Sequence, residues 1–211
     1  MHTAPRPFLL FILVLALLSA GPVAASPISV AGDFTSLGLD PQFDPFLYLF
    51  RVKSVSDVTI KTWGYGGGTN AAGQVIPAGG FDPILSLFSG AGDGALFLDR
   101  NDDECPTCPD STLAVPGLVP GYYTLALTPF QNNPWAYMDP GTYSTLGDGF
   151  NGLGTLTDQN NDERTAAFAF DITGDVEPMP EPSTLLLVGG GLLVGLRRVL
   201  QGASIPRGPS E

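Results

Sequence analysis

Histidine is almost absent. The one copy is His2, so imidazole acid–base catalysis and histidine-ligated metals are excluded from everything downstream. Cysteine occurs twice, at Cys105 and Cys108, which is too few thiolates for a four-ligand zinc site. Cations are scarce. Nine Lys and Arg stand against 21 Asp and Glu, for a formal net charge of −12. Phosphate backbones are bound by clustered cations, so a nucleic-acid partner is excluded. No G-x-S-x-G nucleophile motif occurs. Between the two ends, no stretch sustains a helical period. Glycine and proline are plentiful, 27 and 20 of 211 residues. That composition disfavours long helices and suits a turn-rich β protein.

The two ends read as addresses. His2 and Arg6 precede the apolar run FLLFILVLALL at 8–18, and SAGPVAAS follows, with Val23 and Ala25 placed before a cut at Ser26. These are the three parts of a secretory signal peptide, residues 1–25. The run is short for a membrane span. At the other end, EPMPEPSTLLLVGGGLLVGLRRVL carries Pro180-Glu181-Pro182 with Ser183-Thr184, an apolar run at 185–196, and Arg197-Arg198. This segment, 178–200, resembles the PEP-CTERM sorting signal of bacterial proteins processed by exosortases, and a polar tail, 201–211, follows it. The resemblance implies export and transient anchoring in the inner membrane. It also implies an exosortase-type membrane protease as partner, and delivery to the cell surface or an exopolysaccharide matrix. Twelve apolar residues make about 18 Å of transmembrane helix against a core of about 30 Å, so weak anchoring is expected.

Residues 26–177 are long enough for one domain with its own core. From Ser26 to Pro180 there are nineteen acidic and five basic residues (Arg51, Lys53, Lys61, Arg100 and Arg164). Short segments rich in β-branched and aromatic residues predict strands at 46–52, 57–63, 83–89, 94–99, 121–128 and 165–172. Turn residues separate them. Six to nine such strands predict a mostly β fold, an antiparallel β-sandwich. The strand-poor stretch Pro129–Thr157 reads as an elaborated loop.

TWGYGGGTNAAGQVIPAGGFDPILSLFSGAGDGALFLDRNDDECPTC, then PGYYTLALT, GDGF and ERTAAFAFDI, carry a second resemblance. They are similar to a family of secreted bacterial domains related to pre-peptidase C-terminal-like β-sandwiches. It spans about Phe46 to Ile172 and implies a binding or structural accessory module without enzyme chemistry.

Three candidate sites follow. In LDRNDDECPTCPDST (98–112), Asp99, Asn101, Asp103 and Asp110 match positions 1, 3, 5 and 12 of an EF-hand loop. The match fails at Glu104, where the turn needs Gly. A looser Ca²⁺ loop and a plain acidic turn both remain open. The sandwich resemblance implies that Asp82 and Asp102-Asp103 lie at facing ends of successive strands, with Asp110 before the next. The metal candidates are therefore Asp82, Asp99, Asn101, Asp102, Asp103 and Asp110. Two echoes, DRNDDE with DQNNDE (158–163) and FDPFLYLF (43–50) with FDPILSLF (81–88), leave open an internal duplication or convergence. Cys105 and Cys108 have redox-motif spacing, but the acids around them oppose a thiolate. In an exported chain with two cysteines, a local disulfide is expected. Trp63, Tyr65, Phe130, Trp135, Tyr137 and Tyr143 fall in or beside loops. Trp135 and Tyr137 are candidate glycan contacts, or covers of core edges. The expected function is a non-enzymatic exported surface or matrix protein. A Ca²⁺-dependent carbohydrate-binding module is the alternative.

Overall fold

Alternation in FLYLFRV turns Phe50 and Val52 into the interior while Leu47 and Arg51 stay exposed. The same logic, applied strand by strand, builds two sheets. The structure is a computed structural model that describes residues 26–105 and 108–179. The signal segment with Ala25, the motif Pro180-Glu181-Pro182, the apolar run after it and Arg197-Arg198 lie outside the described residues.

The first sheet has four strands in the order β1 (Ile28–Asp33), β10 (Ala167–Thr173), β3 (Ser56–Thr62), β8 (Thr112–Leu118). The second has five, in the order β11 (Val176–Pro178), β2 (Phe46–Val52), β9 (Gly121–Pro129), β6 (Pro83–Ser89), β7 (Leu96–Asn101). Their ladders are antiparallel throughout. One hydrophobic cluster draws on both sheets, so they pack face to face as a sandwich. Phe50, Leu85, Leu87, Leu125 and Leu127 come from one side, and Val58, Ile60, Phe168, Phe170 and Ile172 from the other. Aromatic contacts cross the gap: the Tyr48 and Phe170 rings stand edge to face at 5.6 Å.

Each sheet is also covered on its outer face. A short hairpin, β4 (Gly68–Thr69) and β5 (Val75–Ile76), lies in the excursion between β3 and β6. The stretch after β9 carries α1 (Trp135–Met138) and a 3-10 turn at Leu146–Asp148. That turn docks under the β6–β7 connection, where Leu146 N donates to Ala95 O at 2.8 Å and Gly147 N to Asp93 O at 2.8 Å. A Cβ on Gly147 would stand 2.8 Å from Asp93 Cβ, so this approach needs glycine. Under the turn sits a second cluster of Phe88, Ala95, Ala126 and Leu146, with Phe97 and Phe150 against it. This is why β6 is buried through six consecutive residues, Pro83 to Phe88, with no alternation.

Two strands appear where none was expected. β8 contains Pro116 and Gly117, the latter at φ +65°. It tolerates them as an edge strand beside the register shift between Ser56 and Val58 in β3. β1 contains Gly32, whose missing Cβ makes room for the Phe168 ring, 2.7 Å from where that atom would stand. The FDP echo does not form a structural repeat. β2 and β6 flank β9 and run the same way, but Phe46 lies opposite Leu127 whereas its counterpart Ile84 lies opposite Thr128. The one-residue slip sends Phe50 into the main cluster and its counterpart Phe88 into the second.

Phe170 is fully buried, with ring contacts to Phe46, Tyr48 and Phe168. Phe170→Ala is expected to cost about 3–5 kcal/mol in urea unfolding. Val75→Ala, at 81 % exposure, is expected to stay within about 0.5 kcal/mol.

Candidate functional site: the acidic end of the sandwich

Antiparallel pairing brings the ends of β3, β7 and β9 to the starts of β6, β8 and β10. Most of the acidic candidates lie at this end. Ser111, fully buried just before β8, ties the two sheets there. Its N donates to Thr62 Oγ1 at 2.8 Å, and its Oγ lies 2.7 Å from Pro83 O and against Asp102 O.

Three aspartates at or near this end are saturated with donors. Asp110 Oδ1 accepts from Thr62 Oγ1 at 2.9 Å and Tyr65 N at 3.2 Å, and its Oδ2 accepts from Gly66 N at 2.7 Å. Asp110 therefore caps the turn after β3 rather than facing Asp82. Asp158 Oδ1 accepts from the backbone N of Asn160 and Asp162. Its Oδ2 accepts from Tyr65 Oη at 2.6 Å and from Arg164 Nε and Nη2 at 2.9 and 2.8 Å. The bond from Tyr65, then those from Asp162, Arg164 and Asn160, hold its carboxyl well below the usual range against the cost of burial. Arg164 also stacks 3.8 Å over the Tyr65 ring. Asp171, on β10, accepts from Ser29 Oγ, from Trp63 Nε1 at 2.7 Å and from Ala71 N at 2.7 Å.

Asp82 is the contrast. It is 2 % exposed, and its Oδ1 has no hydrogen-bond partner. Burial first, then the nearby carboxylates of Asp103, Asp102 and Asp158, push it up to about 7, with Arg164 opposing. Asp102 Oδ1 is likewise buried without a partner, while its Oδ2 accepts from Arg100 Nη2 at 2.8 Å. Burial, then Asp102, raises Asp103. The structure thus brings Asp82, Asp102 and Asp103 into one neighbourhood. Asp99 is exposed on β7, its Oδ1 taking the N–H of Arg100. Asn101 Oδ1 accepts from Thr112 N at 2.9 Å, inside the fold. Among the described residues, no group of three or more His, Cys, Asp and Glu side chains already stands at metal-holding distance.

Cys105 and Cys108 form a disulfide, as expected, with Cα atoms 4.8 Å apart. Beside it, Lys61 pairs with Glu104 at 2.9 Å and lies over the Trp63 ring. Tyr137 stands under the Arg100 guanidinium at 4.5 Å. Trp135, 36 % exposed, has Tyr143 as its ring neighbour at 5.9 Å. A separate cavity of about 410 Å³ on the outer face of the five-stranded sheet is lined by Phe43, Leu47, Leu49, Leu146 and Phe150 among others.

The structural roles of Ser111 and Asp171 were not foreseen. Neither belongs to a motif, and only the pairing of distant strands gives them partners. Among the described residues, no helix is long and apolar enough to cross a membrane. No protein-family model, no curated protein and no solved structure matches this chain.

A depressed carboxyl contributes stability that is present above its unfolded value and lost as pH falls through the folded one. Asp158→Asn is therefore expected to lower the Tm at neutral pH. Its deficit against wild type should shrink as pH falls below about 4. A parallel offset across the whole pH range would contradict the role given to the Asp158 charge.

Proposed function

We propose that this is an exported, non-enzymatic β domain, delivered to the cell surface or an exopolysaccharide matrix by an exosortase-type system acting on its tail. One observation carries the reading. The last strand, β11, closes on β2 through Val176↔Val52, Glu177↔Arg51 and Pro178↔Phe50, and Met179 N still donates to Leu49 O. Pro180-Glu181-Pro182 begins at the next residue. Removal of everything from residue 180 onward would therefore leave every described strand in place. A sorting tail needs that separation, because the protease must work on it without dismantling the cargo. The kinship with pre-peptidase-type sandwiches is supported by the two antiparallel sheets around one core. Against a redox enzyme, the two thiols are joined as a disulfide.

A carbohydrate-contact reading draws on one feature, the exposed Trp135 edge beside Tyr143. Tyr137 is also exposed, with the Arg100 guanidinium over its ring.

Two measurements test these readings. Cells producing the chain without residues 180–211 are expected to lose the protein from the envelope fraction and release it in soluble form. Unchanged envelope retention would overturn the sorting reading. On a glycan array, the contact reading expects binding that Trp135→Ala lowers at least about tenfold, the scale of one lost aromatic hot spot. Binding indifferent to that change rules the contact out.

A further inference from the structure

Six charged side chains gather where β6 begins: the carboxylates of Asp82, Asp102, Asp103 and Asp158, and the guanidinium groups of Arg100 and Arg164. Arg164 is committed to Asp158, and Arg100 to one oxygen of Asp102. Among the described residues, no Lys or Arg pairs with Asp82 or Asp103. Asp82 is thus left unmatched where water is largely excluded, with the half-buried Asp103 unmatched beside it. A buried carboxylate resists that arrangement in one of two ways: it takes a proton, or it takes a cation.

We propose that Asp82, together with Asp102 and Asp103, binds a calcium ion. The acidic cluster alone would not carry this. The second observation is the pair of carboxylate oxygens, Asp82 Oδ1 and Asp102 Oδ1, both buried and neither with a hydrogen-bond partner. Buried acceptors are almost always satisfied, and the oxygens of Asp110, Asp171 and Asp158 nearby are. The donors are all hard oxygens, without His or Cys, which suits calcium. Magnesium demands a stricter octahedron and keeps its waters.

The ligand set is narrower than the spacing in 99–110 alone implies. Asp99 points to solvent, Asn101 caps the N–H of Thr112, and Asp110 spends both oxygens on the turn after β3. The three remaining carboxylates do not yet form a closed shell. Asp82 is fixed by packing. Asp102 and Asp103 lie in the bend just past β7 and are less buried, so they are the groups that move inward on binding. The ion would then join the start of β6 to the tail of β7. This inference is independent of sorting, since it concerns the folded domain whether or not the tail is processed.

The test uses the full chain in mild detergent, stripped with EDTA and titrated with Ca²⁺ near neutral pH. Calorimetry is expected to show one site, with a Kd of about 10⁻³ M or tighter, the range reached by extracellular calcium modules. Saturation is expected to raise the Tm by about 5 °C. Asp82→Asn and Asp103→Asn should each weaken binding at least about tenfold, while Glu177→Gln, at the far edge on β11, leaves it unchanged. If Asp82→Asn does not fold, Asp103→Asn still decides, because that residue is only half-buried. The proposal is overturned by equal Tm values in EDTA and Ca²⁺, or by wild-type affinity in both aspartate variants. An unresponsive wild type whose Asp82→Asn variant is more stable would mean that Asp82 holds a proton instead.

Discussion

The structure depends on how a chain so poor in cations satisfies most of its buried and half-buried aspartates. Nineteen acidic residues share five basic ones between Ser26 and Pro180, so ion pairing cannot satisfy them. Hydrogen bonds do it instead. Asp171 is met by an indole N–H, a backbone N–H and a hydroxyl. Asp110 is met by two backbone N–H groups and a hydroxyl. Asp148, in the 3-10 turn, takes the N–H groups of Ser144 and Thr145, which lower its carboxyl from the ordinary value. Charge-assisted bonds of this kind are among the stronger ones available. They also fix geometry, because each draws loop N–H groups onto one carboxylate.

That constraint explains the layering outside the main core. Asp171 faces outward from the four-stranded sheet, and its bonds to Trp63 and Ala71 hold the β4–β5 excursion over that face. Asp110 and Asp158 grip Tyr65 in the same excursion, one by its N–H and the other by its hydroxyl. On the other side, the turn containing Asp148 sits over Phe88 and Ala126. The sandwich is therefore wrapped on both outer faces by segments that carry little secondary structure. In one case carboxylates fasten the wrap. In the other an apolar cluster does.

Much of the fold was legible because strand burial is periodic. β2, β6 and β9 fall within a residue of their expected limits, and β3 and β10 within two. β7 starts two residues late, since Gly94 and Ala95 belong to the turn under Leu146. β8 was hidden by Pro116-Gly117, a turn signal that an edge strand can absorb. β1 was hidden by its small residues, which look like a linker until Phe168 packs over Gly32. The local disulfide was legible from compartment and count. The FDP echo left duplication and convergence open, because like spacing does not say which face points inward.

The acidic site was legible in part, and the reason lies in chain geometry. Oxygen ligands at alternate residues converge when the backbone coils around an ion, as in a twelve-residue loop. On a strand the same residues share a face but stand about 6.6 Å apart, too far for bonds of about 2.4 Å to one centre. β7 runs to Asn101, so Asp99 and Asn101 are spread along it while Asp102 and Asp103 fall past its end. What reaches Asp82 is the pair beyond the strand. In the acidic run DRNDDE, Asp99 thus faces solvent on β7, Asn101 caps the N–H of Thr112, and Asp102 and Asp103 fall past the strand's end near the start of β6. Its counterpart DQNNDE contains no strand among its first residues and folds back on Asp158, whose oxygen takes the N–H groups of Asn160 and Asp162. Two segments alike in letters differ in shape because one is drawn straight by a ladder and the other closes on itself.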